Sequence, residues 1–512
     1  MEDLSLQELE AHRRKARAMG GPERLAKVRT AGKLPVRERL EVLLDPGSFD
    51  ELGLLNHSQH PGLEHRTPAD GVVAGSGLIE GRRVFVIADD PSVLAGTRGR
   101  VAETKMTRLR ELVLREKLPL VMLNEAGAAR VQENKGAYSA GLGWSFEQHF
   151  MLNGIVPQAS VHMGASFGGP SFTGSMCDFV ALVSGTGFMG MSGPPIVKVG
   201  IGVDHTAEEI GGAQMAMQTT GQVDYVGDSE VAALQAVRRY LSYLPANCFE
   251  RPPHALAHPA PADGEAGREA LNKIVPLDQR RAYSMLKLIE VLVDQGSLFE
   301  LRAGYGRNLI TALARMDGET VGVVANNPMF RAGVLDDKAA NKARRFIDIC
   351  DAFHIPLIFL CDTPGFLVGP EIEKNRMVSL CGRLLMSLMS ASVPKITVVV
   401  RKAVGMAYIA MCGRACHPNT IVAWPRSFFD VMGPEAGVIL AHGQEIMAAP
   451  DPDKRKREIL AEFEEAASAY ATAGLALIDD VIAPGETRNV ILKSLARARG
   501  CDTLGFKRRI EP

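Results

Sequence analysis

The feature that most constrains this chain is a sequence repeat with a constant separation. IEGRRVFVIADDP, which begins at residue 79, resembles MDGETVGVVANNP, which begins at residue 316, a separation of 237 residues. The same separation carries LPLVMLNE at 118–125 onto IPLIFLCD at 355–362 without a gap. Generic strand and turn phrases do not keep one separation over so long a stretch. The sequence therefore predicts two diverged copies of one domain.

Each copy contains the same series of apolar runs and helix-period stretches. The first copy begins with the apolar run VFVIA, then has a helix-period stretch, and continues with LPLVMLN and VPQASVHM. The second copy has VGVVA, a helix-period stretch, IPLIFLC and VPKITVVV in the same order. Strands that alternate with helices in this way are typical of parallel sheets with helical crossovers. The predicted fold class is therefore α/β, with two tandem domains related by internal duplication.

A linker is predicted between the copies. Residues 251–268 are rich in Pro, Ala and Gly and have no apolar periodicity. The domains are accordingly predicted at 1–250 and 269–512.

A shorter echo, DPGSFDEL from residue 45 and DQGSLFEL from residue 294, has a slightly larger separation of 249 residues.

Composition excludes several classes of function. Lys and Arg number 58 and Asp and Glu 59, so the net charge of -1 offers no basic field for nucleic acid. No uncharged apolar stretch reaches the roughly 18 residues that span a bilayer, and residues 1–21 lack the apolar core of an export signal. Eight cysteines without framework spacing indicate a reducing, cytoplasmic setting.

Two loops in each copy are candidates for chemistry. In parallel sheets ligands bind beyond the carboxyl ends of the strands, where helix starts expose backbone N–H groups. The loops are 124–130 and 163–172 in the first copy and 361–366 and 400–409 in the second. Their small residues let a substrate carbonyl approach the backbone, and two converging N–H donors form an oxyanion hole. The repeat predicts one such hole in each copy.

Three motifs suggest other chemistry. GASFG at 164–168 fits G-x-S-x-G and would make Ser166 a hydrolase nucleophile, but the matching residue in the second copy is Ala403. GTGFMG at 185–190 fits a dinucleotide fingerprint, yet SGPP follows where a helix should open. CGRACHP at 412–418 lacks further ligands at regular spacing, so no metal site is predicted.

Long ordered phrases then point to one family. They include AGKLPVRERLEVLLDPGSFDEL, TPADGVVAGSG, AARVQE, EEIGGAQ, DAFHIPLIFLCDTPGF, VPKITVVVRKAVGMAY and AWPRSFFDVMGPEAG. The chain resembles, over nearly its whole length, the carboxyltransferase (β) subunits of biotin-dependent acyl-CoA carboxylases, such as propionyl-CoA and methylcrotonyl-CoA carboxylase, and the related decarboxylase subunits. The resemblance implies a crotonase-like ββα spiral in each half.

The resemblance also implies an active site at a dimer interface. The N-terminal half of one subunit would hold the acyl-CoA, and biotin would approach the C-terminal half of its neighbour. The residues carried over to the acyl-CoA side are Gly127, Ala128, Arg130, Gly168 and Gly169. Those carried over to the biotin side are Gly365, Gly405, Met406, Ala407 and Ile409. Carboxybiotin would release CO2, the ureido anion would take the acyl-CoA α-proton, and the enolate would attack CO2.

The chain departs from the family pattern at three positions. Pro170 follows Gly168 and Gly169 where the family has Ala, and proline has no N–H to donate. Met406 replaces a glycine of the second Gly-Gly-Ala pattern and adds bulk near the biotin side. Ile409 stands where propionyl-type enzymes tend to have Asp, so a propionyl substrate is not assumed.

The resemblance implies partners as well. The chain has no biotinylation signature and no ATP-grasp-like region, so the biotin carboxylase and the biotin carrier are expected to be separate subunits. Self-association to dimers and a hexamer is expected. Two alternatives remain open: a biotin-dependent acyl-CoA decarboxylase subunit of a sodium pump, and a non-catalytic acyl-CoA-binding paralogue.

Overall fold

The computed structural model describes residues 4–127 and 129–512. The chain forms two compact units, the first made of the residues up to Glu250 together with Gly505–Pro512, and the second of Arg251–Leu504. Among the described residues, no helix is long and apolar enough to cross a membrane.

The first unit contains a mixed sheet with helices on its connections. Its strands are β1 Asp50–Leu52, β2 Val72–Ile79, β3 Arg82–Asp89, β4 Leu120–Asn124, β5 Gln158–His162, β6 Ala165–Phe167, β7 Phe179–Val183, β8 Phe188–Gly190 and β9 Tyr225–Gly227. Its helices are α1 Leu4–Arg17, α2 Pro22–Thr30, α3 Val36–Leu43, α4 Arg100–Glu116, α5 Val131–Asn134, α6 Trp144–Leu152, α7 Gly169–Ser175, α8 Pro194–Ile201, α9 Ala207–Gly211 and α10 Glu230–Ser242. Shorter helical turns lie at Pro68–Gly71, Leu94–Gly96, Gly136–Gly141 and Met215–Thr220.

The second unit contains a sheet of the same kind. Its strands are β10 Phe299–Leu301, β11 Leu309–Met316, β12 Glu319–Asn326, β13 Leu357–Thr363, β14 Lys395–Val404, β15 Thr420–Ala423, β16 Phe428–Asp430 and β17 Asp480–Val481. Its helices are α11 Glu265–Ile274, α12 Met285–Leu292, α13 Asp337–Ala352, α14 Pro370–Lys374, α15 Met377–Ser390, α16 Gly405–Ala410, α17 Pro434–Ala448, α18 Pro452–Ala466, α19 Ala469–Gly474 and α20 Thr487–Ala498. Short turns lie at Pro261–Asp263, Arg331–Gly333, Arg414–Cys416 and Pro484–Glu486.

Strand order is the same in both sheets. The first runs β1-β2-β3-β4-β5-β7-β9, with β6 and β8 forming a separate pair, and the second runs β10-β11-β12-β13-β14-β15-β17, with β16 beside β14. The first two pairings of each sheet are antiparallel, and those that follow are parallel. The bounds of β2 and β11, and those of β3 and β12, differ by the 237 residues of the sequence repeat.

The short echo with the larger separation has a structural reason. Asp45 accepts hydrogen bonds from the amides of Glu80 and Gly81 at the β2–β3 turn, at 3.1 and 2.8 Å. Asp294 does the same for the β11–β12 turn, accepting from Asp317 at 2.9 Å and Gly318 at 2.8 Å. The two central residues of each turn have positive φ, as a tight hairpin requires.

A buried lysine is repeated as well. The ammonium of Lys105 donates to the carbonyl oxygens of Ala69 and Val72, at 2.8 and 2.7 Å. Lys342 donates to the carbonyls of Tyr305 and Leu309, at 3.0 and 2.8 Å. Burial disfavours the charged form and lowers the pKa of each lysine to about 8. Each ammonium ties the helix that follows the antiparallel strands, α4 or α13, to the segment that leads into β2 or β11.

The last eight residues lie in the first unit, whereas the sequence placed them in the C-terminal domain. Ile510 donates its amide to Asn153 Oδ1 at 2.6 Å, and Asn153 Nδ2 donates back to its carbonyl at 2.9 Å. Ile510 is also buried, so burial of an apolar side chain accompanies the paired hydrogen bonds.

Candidate active site

In the first unit, two loops meet beyond the ends of β4 and β5. Asn124 and His162 are partners in the parallel register of these strands, so the loops that follow them start side by side. The amide of Met163 and the hydroxyl of Ser166 both donate to the carbonyl of Asn124, each at 3.0 Å. The two loops named from the sequence are therefore in contact here.

Backbone amides in these loops differ in whether they already donate a hydrogen bond. The amide of Gly127 donates to Ala95 O at 3.1 Å, and that of Gly168 donates to Gly190 O at 3.0 Å. Gly169 begins α7, where an amide has no acceptor within the helix, and a Cβ added there meets nothing within 4 Å. Ala128 lies outside the described residues. The amides of Gly127 and Gly168 are therefore already occupied, whereas the amide of Gly169 has no acceptor within its helix.

Pro170 occupies the second position of α7 and is buried. Its missing N–H is one that the first turn of a helix leaves without an intrahelical acceptor, so the helix tolerates it. The turn is fixed instead by Ser171, whose hydroxyl donates to Ser166 O and accepts from the Gly190 amide at 2.9 Å. Proline thus stiffens this helix start.

Arg130 is directed into the protein. Its guanidinium is 1 % exposed and lies 2.6 Å from Asp70 and 2.7 Å from Glu133, with a further bond to Thr97 O at 2.8 Å. These partners engage both terminal nitrogens of the guanidinium. Arg130 is therefore placed to position the loop of Gly127 rather than to contact a ligand directly.

Glu125 is a residue that the sequence analysis missed. Its two carboxylate oxygens lie 2.5 Å from Arg39 and 2.6 Å from Lys33. Arg39 also binds Glu230, at 2.7 Å, inside the unit. Since Glu125 stands at the first position of the loop after β4, this buried network holds the start of that loop.

In the second unit the corresponding loops follow β13 and β14. Thr363 and Ala403 are partners in the register of these strands, which places the two loops side by side again. Gly405 begins α16 with a φ of 59°, and a Cβ there would lie 2.9 Å from Val431 O. Gly365 has a φ of 138°, and its amide lies 3.3 Å from the hydroxyl of Thr363.

The first turn of α16 carries the other residues of the biotin-side prediction. Met406 and Ala407 have amides that lack an acceptor within the helix. The side chain of Met406 is 54 % exposed, while Ala407 is buried and Ile409 is half-buried. The structure therefore brings Met406 to the surface at the helix start.

Asp362 stands at the position of the second copy that corresponds to Glu125, and the sequence analysis missed it too. Its Oδ2 accepts from the Tyr283 hydroxyl at 2.8 Å and from Arg401 Nε at 3.0 Å. Its Oδ1 has no hydrogen-bond partner in the part of the chain that the structure describes. Burial raises the pKa of Asp362, and burial together with Asp362 raises that of Tyr283 well above its usual value. The repeat alone could have identified both carboxylates, because Glu125 and Asp362 are 237 residues apart.

The three other motifs take structural parts. Ser166 is fully buried and its hydroxyl donates to Asn124 O and Gly164 O, at 3.0 and 3.1 Å. Residues 185–190 end in β8 rather than opening a helix. Cys412 and Cys416 are buried, and the described residues contain no group of three or more ligands that could hold a metal.

Exposed apolar side chains lie on α8 and α17. On α8 they are Ile196, Val199 and Ile201, and this helix has no buried residue. On and beside α17 they include Val431, Leu440 and Met447. Each helix follows a short strand that lies beside its own site. Helix α8 follows β8, which pairs with β6, and α17 follows β16, which pairs with β14. Several exposed apolar side chains on one helix are typical of an interface.

Comparison with known proteins finds related chains over nearly the whole length of this one. The family described as carboxyl transferase domain matches residues 27–500. A putative propionyl-CoA carboxylase beta chain of Bacillus subtilis is 38% identical over 484 residues, 94% of each chain. The methylmalonyl-CoA decarboxylase subunit alpha of Propionigenium modestum is 33% identical over 499 residues, 97% of this chain and 96% of that one.

A solved structure is similar over the full length. It is a transcarboxylase 12S crystal structure, described as a hexamer assembly with methylmalonyl-coenzyme A and methylmalonic acid bound. Its TM-score is 0.92 and its sequence identity 35%, over 99% of this chain and 98% of the other. The predicted crotonase-like α/β fold and the family resemblance are thereby confirmed.

Proposed function

The chain belongs to the carboxyl transferase family, and from this premise we propose that it transfers a carboxyl group from carboxybiotin to an acyl-CoA. The acceptor would be the α carbon, or the vinylogous γ carbon, of the acyl group. The observation that carries the proposal is a loop and helix start that occurs twice, at Gly168–Gly169 and at Gly405–Met406. Two similar sites fit a reaction in which two carbonyl compounds each need an anion-stabilising environment.

The first site fits the thioester. The Gly169 amide and the neighbouring Gly127–Ala128 loop would hold its oxygen while negative charge develops on it. Nothing within 4 Å of a Cβ at Gly169 obstructs this approach. The buried Glu125 and Arg39, with the half-buried Lys33, would keep the loop in place, so the amide need not reorganise during the reaction.

The second site fits the ureido ring of biotin. The amides of Met406 and Ala407, with the Gly365 loop, would hold its oxygen, and Gly405 would allow close approach at the helix start. When bound, biotin supplies the carboxyl group and the base for the acyl-CoA α-proton. This chain's own contribution is to position the two ligands and exclude water, and Ile409 would influence which acyl groups fit.

A decarboxylase subunit is the second candidate. The relative from Propionigenium modestum favours it, because that protein is named a methylmalonyl-CoA decarboxylase subunit. The same site would then move the carboxyl group toward biotin. Pro170 and Met406 motivate a third reading, a paralogue that binds acyl-CoA without catalysis; it predicts binding and no transfer in either direction.

We also infer the partners and setting. The biotin carboxylase and biotin carrier would be separate chains, and the exposed apolar helices α8 and α17 support self-association to dimers and a hexamer. The reported hexamer of the transcarboxylase 12S protein supports the same assembly. All eight cysteines are free of disulfides, which fits a cytoplasmic setting.

The direct test is carboxyl transfer by the purified chain with a biotin carboxylase, a biotinylated carrier, ATP, labelled bicarbonate and a panel of acyl-CoA esters. Gly169→Pro removes one amide and should lower turnover about a hundredfold or more. Its matched control is Gly169→Ala, which keeps the amide and meets open space. Equal turnover in the two variants would contradict the role of this amide. Formation of carboxybiotin from malonyl-type esters, without net carboxylation, would favour the decarboxylase.

A further inference from the structure

A cavity of about 530 Å³ lies in the second unit, at the carboxyl ends of three adjacent parallel strands. β14 pairs with β15 up to Val399 and Ala423, and β15 pairs with β17 up to Ala423 and Val481. The chain just past these pairings lines the cavity, together with the end of α11. The carboxyl ends of parallel strands are the places where α/β sheets commonly bind ligands. The residues assigned to biotin above do not line this cavity, so it needs its own explanation.

Much of the cavity wall is apolar. Leu271, Val275 and Trp424 line it and belong to the buried core of this unit. At its opening stands Leu277, whose side chain is 83 % exposed. A ligand with an apolar body would pack against the first three side chains and cover the fourth, and burial of that surface favours binding.

Arg401 brings a buried positive charge to the same cavity. It lines the cavity and is 4 % exposed. Its Nε donates to Asp362 Oδ2 at 3.0 Å, and its Nη1 donates to Arg281 O at 2.9 Å. In the part of the chain that the structure describes, its Nη2 has no hydrogen-bond partner. Because buried donors are normally paired, this nitrogen is the one that Arg401 can offer to an acceptor on a ligand.

The charges around the cavity leave one positive charge in excess. Arg426 also lines it and is exposed, and among the described residues its guanidinium has no carboxylate partner. Asp362 offsets the charge of Arg401, and neither Asp nor Glu occurs among the described lining residues. A single excess positive charge matches a monoanion better than a dianion such as phosphate. The planar guanidinium group suits a carboxylate in particular.

Hydrogen bonds hold the walls of the cavity in place. Asn272 Oδ1 accepts from the Gly485 amide at 3.1 Å, which joins α11 to the segment after β17. Trp424 Nε1 donates to the Thr487 hydroxyl at 3.0 Å and so fixes the indole ring. The Ser427 hydroxyl donates to Trp424 O at 2.8 Å, within the turn after β15. A wall that is already ordered lowers the cost of binding.

We propose that this cavity binds a small organic acid, a monocarboxylate with an apolar chain or ring. The carboxylate accepts from Arg401 Nη2 and lies near the Arg426 guanidinium, and the apolar body packs on the wall that contains Trp424. The volume agrees, because cavities for small ligands measure roughly 300–1,000 Å³. This binding goes beyond the proposed carboxyl transfer and does not depend on it.

An acid bound here would act on the neighbouring second site through Arg401. Asp362 precedes Thr363, whose hydroxyl lies 3.3 Å from the Gly365 amide. With the acid bound, two carboxylates share the Arg401 guanidinium, so its hold on Asp362 weakens. The acid should therefore raise the KM for the biotinylated carrier. This effect, unlike the binding itself, rests on the proposed function.

The first experiment measures binding to the full chain by calorimetry with three probes. Octanoate has both the carboxylate and the apolar body, octanamide has the body without the charge, and inorganic phosphate has charge without the body. Octanoate should bind about tenfold or more tightly than octanamide, and phosphate should not bind detectably. Absence of octanoate binding, or equal binding of octanoate and octanamide, overturns the proposal.

Variants then locate the bound acid. Arg426→Ala should weaken octanoate binding about tenfold, and Ala483→Trp should abolish it by filling the cavity. Both residues are exposed, so thermal unfolding without octanoate should match that of the unaltered chain. The matched control is Arg457→Ala, an exposed arginine of α18 outside the cavity, which should bind normally. Octanoate binding that both cavity variants leave unchanged would lie elsewhere and would contradict the proposal.

The second experiment measures carboxyl transfer with and without saturating octanoate. The KM for the biotinylated carrier should rise about twofold or more, the KM for acyl-CoA should stay unchanged, and Ala483→Trp should remove the effect. A rise in the KM for acyl-CoA instead would show that octanoate competes at the first site, against the proposal. Failure of transfer with every substrate would count against the proposed function alone, because the binding experiment does not require turnover.

Discussion

Glu125 occupies the space that a side chain at Gly164 would need. A Cβ built on Gly164 lies 2.4 Å from the carboxyl carbon, the Cγ and one oxygen of Glu125. Glu125 cannot easily withdraw, because Arg39 and Lys33 hold its two oxygens at 2.5 and 2.6 Å. The two loops of the first site are therefore fitted to each other through one glycine and one carboxylate.

Gly164→Ala should disturb this fit. The added methyl must displace the Glu125 carboxyl or the backbone, which we expect to cost about 1–3 kcal/mol of unfolding free energy in a urea titration. Carboxyl transfer should fall as well, because the loop that carries Gly127 moves.

Gly200→Ala is the matched control, since nothing lies within 4 Å of its Cβ and its φ is ordinary. It should leave both quantities unchanged or slightly raise stability. If Gly164→Ala and Gly200→Ala had the same free energy of unfolding and the same transfer rate, the close fit of Gly164 to Glu125 would not contribute to stability or activity.

Arg401→Met should be strongly destabilising. Among the described residues it leaves the Tyr283 hydroxyl as the side-chain donor to the buried Asp362 carboxylate, and breaking a buried ion pair from one side costs about 3–5 kcal/mol. Combining it with Asp362→Asn removes the unpaired charge and should recover part of the loss. Lys374→Met, which breaks an exposed pair with Glu371, should cost under about 1 kcal/mol. Similar losses in the two single variants would contradict this account.

Acid should destabilise the first unit through His162. Burial, aided by the nearby Arg98, lowers the pKa of this imidazole from 6.5 to about 4. The unfolded chain therefore binds a proton that the folded chain does not, and stability is lost as the pH falls from 6.5 toward 4. The expected loss is about 2 kcal/mol by pH 5.

Urea titrations at pH 7 and pH 5 measure this effect. His149, whose pKa burial lowers to about 3, contributes in the same direction, so His162→Gln should reduce the pH dependence without abolishing it. An unchanged pH dependence in this variant would assign the acid sensitivity to other groups.

Gly405→Ala should impair transfer more than folding. At a φ of 59° a Cβ costs about 1–2 kcal/mol, and here it would also press on Val431 O at 2.9 Å. Relief of that contact shifts the start of α16 and its amides, so we expect turnover to fall about tenfold to a hundredfold. Gly382→Ala, on α15 with open space around it, should leave turnover unchanged. Normal turnover in Gly405→Ala would show that this turn does not contribute to carboxyl transfer.

The repeat made much of the fold predictable. A constant separation identified β2 with β11 and β3 with β12, and it paired the loops of Gly168 and Gly405. Apolar periodicity suffices for such elements because burial of one face determines strands and helices locally. The shorter echo was also a real signal, since Asp45 and Asp294 bind equivalent turns.

The polar interior was harder to predict. Arg130 lies in one of the phrases that carry the family resemblance, yet the direction of its side chain depends on Asp70, which is 60 residues away in sequence. The occupied amides of Gly127 and Gly168 likewise depend on partners in other segments, Ala95 and Gly190. Such pairings follow from three-dimensional packing, and no local pattern distinguishes a free amide from an occupied one. Glu125 and Asp362 were overlooked because a carboxylate after a strand is common.

The route of the chain gives the first unit an unusual order of assembly. Its sheet is encoded before residue 250, but Asn153 receives its partner Ile510 only after the whole second unit has been made. During synthesis the first unit therefore lacks this contact, and the site of Ile510 stays open, until the segment that begins at Gly505 has been made. Substitutions that slow folding of Arg251–Leu504 would prolong that interval. Their first effect would then be on the first unit, which they do not alter.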